Sequence, residues 1–170
     1  MDINSARKII TQMQVCFKEL NVPFVNESEM FDCAGYSGAI KFRSWFERNG
    51  NLAEILAFVF PGQDIILLTM NFYQKFDDLD KSTICKLFNL QNAVNNSNPT
   101  FYWVFSEKTS KLEFRTAYYL AVSRLNEIQF KSLLRKLIRQ GPLYYSYFRR
   151  LIDNNESFSN LFHEIQLEAL

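Results

Sequence analysis

Few side chains in this 170-residue sequence have the type and spacing that chemistry needs. His163 is the only histidine, so a multi-histidine metal site is excluded and a general base would stand alone on a terminal segment. Cys33 follows Asp32, a pair without the histidine that ordinarily activates a thiol. Cys16, Cys33 and Cys85 are odd in number, widely spaced and form no CxxC, so they read as buried free thiols in a reducing cytoplasm. Asp77, Asp78 and Asp80 could attract a cation, but they precede a helix and read better as its N-cap and first-turn charges facing the dipole. HExxH, GxSxG and GxxxxGK[ST] are all missing. No enzyme, cofactor or metal site is expected.

Charge gives a second kind of candidate. Lys131, Arg135 and Arg139 recur every four residues, a basic stripe that is either a solvated helix face or a docking surface for an acidic partner. Net charge is only +1, and the aromatics do not interleave with the basic residues as a stacking platform would, so nucleic acid is not expected. Hydrophobic residues make up 48% and charged residues 22%, which describes a folded protein long enough to bury a core. No apolar run approaches the roughly 20 residues that cross a bilayer, and the N-terminus lacks a signal-peptide pattern, so a cytoplasmic location is expected.

The elements that position these residues follow from periodicity. Ala6, Ile9, Ile10, Met13, Phe17 and Leu20 share one helical face, and Pro23 should stop that helix. Residues 26–38 read as a loop. Strands follow at 40–47, 52–60 and 64–73, the first two joined through Asn49-Gly50, a strong hairpin signal. A helix carrying Ile84, Leu87 and Phe88 ends in the asparagines from Asn89 to Asn98, which read as a terminator. A second hairpin sets Phe101, Trp103 and Phe105 against Leu112, Phe114 and Tyr118. Asn126 with Gln129 caps a further helix, Gly141-Pro142 should break it, and two more helical segments follow. The class is α+β: a five-stranded antiparallel sheet with flanking helices, order α-βββ-α-ββ-ααα, in one domain over 1–170 with 143–170 as a helical extension.

The run "KLFNLQNAVN", "TFYWVF", "SEKTSK", "LEFRTAYYL", "NEIQFKSLLRKLI" resembles the YbjN-like bacterial proteins, which share their fold with the type III secretion chaperones. In that family a helix of L-N-x-x-N character leads into an aromatic strand, a turn, a strand and a helix. The likeness spans residues 3–139 in element order and 84–139 in residue identity. It implies protein binding or regulation without catalysis, and brings no catalytic residues to transfer. The tail from 142 and the near-neutral charge depart from the secretion chaperones.

One sheet face should be core. The other would present Trp45, one alternating set from each of 52–60 and 64–73, Tyr102, Val104 and Tyr119, edged by Lys41, Arg43, Glu113 and Arg115. An apolar centre with a charged rim describes a surface that meets another: the chain's own C-terminal helices, a second copy, or a client. Phe158, Leu161, Phe162 and Ile165 fall at i, i+3, i+4, i+7 behind a polar hinge, a helix expected to dock on its own sheet or a neighbour's. The expected function is a non-catalytic, chaperone-like or regulatory module. It would bind a partner or client protein through Trp45, Tyr102, Val104, Arg115, Lys131, Arg135, Arg139 and the tail, as a homodimer. The alternative is a small-molecule site or enzyme built from the 26–38 loop and the Asp77–Asp80 turn.

Overall fold

The computed structural model describes all residues except 1–2, 34–35, 49–50, 61–62, 74–75, 99, 107–109, 122–123 and 169–170. The side chains of 3, 25–42, 46, 48, 51 and 168 also lie outside the described part, and with them the expected core positions Ile40 and Phe42 and the expected rim residue Lys41. The Asn49-Gly50 and Pro61-Gly62 turns fall there too.

Helix α1 (Ile3–Glu19) buries Ala6, Ile9, Ile10, Met13, Cys16 and Phe17 on the face that its spacing predicts. It ends before Pro23 can act. Asn21 takes φ 55°, and the Asn21 and Val22 amides donate to the Lys18 and Phe17 carbonyls, satisfying the last helical acceptors. The strands β1 (Phe24–Cys33), β2 (Tyr36–Arg48), β3 (Asn51–Val59), β4 (Ile65–Phe72), β5 (Tyr102–Ser106) and β6 (Lys111–Tyr119) form one antiparallel sheet in the order β1-β2-β3-β4-β6-β5. The α+β class and the five expected strands are there. An additional edge strand occupies most of the expected 26–38 loop. Its pairing with β2 shifts register between Val25 and Glu29 and between Phe31 and Cys33, irregularity that an edge tolerates because only one side must match.

Helix α2 (Lys81–Ser97) starts where expected: the Asp80 carboxylate accepts from the Thr83 amide at 2.8 Å. That bond holds the Asp80 carboxyl below its ordinary pKa. Helix α3 (Glu127–Asp153), capped by Asn126, runs through Gly141-Pro142 instead of breaking there. Both residues are buried, and a Cβ at Gly141 would lie 2.5 Å from Met70 Sδ and 3.2 Å from Phe114 Cδ1. Glycine lets the helix lie close on the sheet, and packing on both sides of Pro142 outweighs the one helical hydrogen bond that proline forfeits. Around this crossing Tyr145 stacks on Phe72 with centroids 3.9 Å apart, and Trp103 packs on Phe114 and Phe148 at 4.7 and 5.0 Å. The expected third C-terminal helix is therefore the second half of α3. Helix α4 (Phe158–Glu168) packs on α2 and α3 in the same chain.

The two sheet edges differ. At β5 the backbone groups facing away from β6 are met by carboxamides of α2. Asn95 Oδ1 accepts from the Trp103 amide at 2.6 Å, Asn95 Nδ2 donates to the Trp103 carbonyl at 3.1 Å, and Gln91 Oε1 accepts from the Phe105 amide at 2.8 Å. These side chains take the place of a neighbouring strand. The asparagines are thus more than a helix terminator. Asn98 bonds Gln140, whereas Asn89 and Asn92 are exposed. Replacing Asn95 by Ala leaves both Trp103 backbone groups unpaired and should lower stability by about 1–3 kcal/mol in urea melts. Gly141→Leu should cost about 1–3 kcal/mol by overpacking, partly recovered when Met70→Ala is added; a melting temperature unmoved by Gly141→Leu would contradict the close crossing.

Candidate binding surface

The core gathers on one side of the sheet. Ala53, Ile55, Ala57 and Val59 of β3, Ile66, Leu68, Met70 and Phe72 of β4, and Trp103, Phe105, Leu112 and Phe114 cluster with the buried faces of α1, α2, α3 and α4. Because side chains alternate along a strand, the residues between them point the other way. Among the described residues no helix packs on that second face.

The register lays the second face out in rows. Phe58, Leu67 and Ala117 form an apolar row at the position of Lys41, extended by Ile65 opposite Tyr119. The next row reads Arg43, Leu56, Thr69, Arg115, Tyr102, and the next Trp45, Glu54, Asn71, Glu113, Val104. The four charges in these rows are paired within the chain. Arg43 Nε lies 2.8 Å from Glu54 Oε1, and Arg115 Nε donates to Glu113 Oε2 at 2.9 Å. Trp45 Nε1 donates to the Tyr73 hydroxyl at 3.0 Å, and the Arg43 guanidinium sits 5.9 Å from the Trp45 ring centre. Exposure is concentrated at the margins: Tyr119 is 72% exposed, Tyr73 51%, Leu52 49% and Tyr102 40%. The surface thus has an apolar row at Phe58, Leu67 and Ala117 beside two mixed rows whose described charges lie in ion pairs.

The expected binding residues divide between the two sides. Trp45, Tyr102, Val104 and Arg115 meet on the open face. Lys131, Arg135 and Arg139 lie on α3, on the helical side, and do not form a continuous free cationic stripe: Lys131 Nζ bonds Glu19 Oε2 of α1 at 2.6 Å, which raises its pKa. Arg135 and Arg139 are exposed. Leu161 and Ile165 of α4 are fully buried, and Phe158 stacks on Phe162. Single-letter alternation located the open face, but the Trp45–Tyr73 bond and the in-place ion pairs depend on register and had no local signal.

The alternative site does not assemble. Residues 24–33 form one edge of the sheet, whereas the Asp77–Asp80 turn lies at the other, where the Phe76 amide donates to the Ser110 carbonyl of the β5–β6 end. Five strand spacings of roughly 4.8 Å separate the edges, about 24 Å. A pocket of about 230 Å³ beside that turn is lined by Phe76, Asp78, Leu79, Ile84, Phe105 and Ser110, with one carboxylate as its only ionisable side chain. Cys16 is buried, and burial pushes its thiol up to about 11. Cys85 is exposed on α2, contrary to the expectation that every thiol is buried. Among the described residues no group of His, Cys, Asp and Glu could hold a metal ion, and no helix is long and apolar enough to cross a membrane.

No family model and no curated protein matches the chain. Among solved structures, it is similar to a chain in the crystal structure of the ExsC–ExsE complex. The TM-score is 0.57 at 15% sequence identity, over 89% of this chain and 97% of that chain. At this identity the likeness shows a shared fold.

Proposed function

We propose that this chain is a non-catalytic protein-interaction module of the cytoplasm, chaperone-like or regulatory, that binds a partner protein on its open sheet face. One observation carries the reading: all the described helices gather on one side, and among the described residues no helix covers the half-buried Leu67, Ala117 and Ile65 or the exposed Tyr119. An apolar sheet face is stable against another apolar surface, and its burial is the ordinary driving force of association. The partner brings apolar, uncharged groups to the centre, because the arginines and glutamates beside it already satisfy each other. The fold shared with a chain of a two-protein complex supports the same reading, as does the YbjN-like resemblance.

A second copy fits this description, which favours a homodimer through the face. In a two-fold contact a patch meets itself, and unpaired charges near the axis would oppose like charges. The Arg43–Glu54 and Arg115–Glu113 pairs remove that clash.

The test is Leu67→Arg, which places one guanidinium group in the middle of the apolar row. On a solvent-facing sheet surface such changes typically move stability by about 0.5 kcal/mol or less. The variant should therefore keep its melting temperature while losing self-association in sedimentation velocity and losing proteins that co-purify with the wild-type chain. Unchanged association in a folded variant would refute the surface.

A further inference from the structure

We propose that the groove between α2 and α3, filled in this structure by α4, is a second docking site, for an amphipathic helix of a partner protein. Helix α4 is the built-in occupant that such a helix displaces. The site lies on the helical side of the sheet and is independent of the open face.

The occupant shows what the groove reads. Leu161 and Ile165 insert fully, while Phe158 and Phe162 stack on each other and are half-buried, giving apolar positions at i, i+3, i+4 and i+7. Charge is read by a single side chain, Arg150 of α3. Its Nε and Nη2 donate to the two carboxylate oxygens of Glu156 at 2.8 and 2.7 Å, and its Nη1 and Nη2 donate to those of Glu164 at 2.7 and 2.8 Å. A planar guanidinium that grips two carboxylates recognises geometry as well as charge. A partner helix therefore carries the same apolar spacing with a carboxylate one residue before the last apolar position and another two residues before the first.

The attachment of α4 suits an occupant that leaves. At 11 residues it is shorter than helices that hold themselves together in water, so it is ordered by docking. Its connection, residues 154–157, is polar and largely exposed, with Asn155 at φ 48°. Elements fixed by few buried side chains open locally without unfolding the rest.

The experiment uses the full chain. Leu161→Asp with Ile165→Asp unseats α4 and leaves the groove itself unaltered. A fluorescent peptide of residues 154–168, "NNESFSNLFHEIQLE", should bind this variant at one peptide per chain. It should bind the wild type at least roughly tenfold more weakly, because the tethered helix competes at high effective concentration. Adding Arg150→Ala to the variant should weaken the peptide at least roughly tenfold, the loss expected of a charge-assisted bidentate contact. Three outcomes overturn the proposal: no binding to a variant that keeps its circular dichroism, equal binding to wild type and variant, or a halved solution mass on unseating α4, which would mean that copies exchange this helix. Hydrogen exchange on the wild type needs no variant. The α4 amides should exchange well before those of α3, and protection equal to that of α3 would overturn a removable helix.

Discussion

The close crossing of α3 over the sheet at Gly141 is the constraint on which the rest depends. A Cβ at this point would make the Met70 side chain and the Phe114 ring give way, so glycine fits the crossing as it stands. From that point Tyr145 and Phe148 reach Phe72 and Trp103, so one helix closes the centre of a wide sheet. With α3 central, α1 covers β1 to β3 on one flank and α2 lies along β5 on the other. All helical cover is thereby spent on a single side. Among the described residues the second face is left without helical cover by this arrangement, and under the proposed function it is where association buries apolar surface.

The two sheet edges show the same division between closed and available surface. At β5, Gln91 and Asn95 occupy the outward backbone groups as a strand would, which closes that edge to strand addition. At β1 the pairing with β2 is interrupted by register shifts, another device that hinders edge-to-edge growth. Both edges therefore resist open-ended strand addition. Charges are paired in the same spirit: Arg43 with Glu54, Arg115 with Glu113 and Lys131 with Glu19 lie in ion pairs within the chain.

Much of this architecture was legible in the sequence, for identifiable reasons. Alternation in 52–60 and 64–73 and helical spacing in 3–19 survive because each element faces one continuous core. The division of Trp103 and Phe114 from Tyr102 and Arg115 into opposite faces followed from period two alone. Strand β1 escaped because "NESEMFDC" is polar, and an edge strand pairs on one side only. Continuity through Gly141-Pro142 escaped because local propensity argues for a break, while the packing that overrides it comes from β4 and β6. Asn95 was read as a helix terminator, since its partner Trp103 is fixed by tertiary structure. Arg150 carries no local signal, because Glu156 and Glu164 reach it from beyond the end of its own helix. The tail's amphipathic pattern was legible, but its destination on α2 was not.

The central claim is that the bare sheet face is where a partner sits. Side-chain footprinting by carbene labelling, comparing the chain as isolated with the chain carrying the proteins that associate with it, measures this directly. The account expects Tyr119, Tyr102 and Leu67 to lose labelling on association, while Ile128, 79% exposed on the helical side, keeps its labelling. Protection at Ile128 with unchanged labelling at Tyr119, Tyr102 and Leu67 would contradict it.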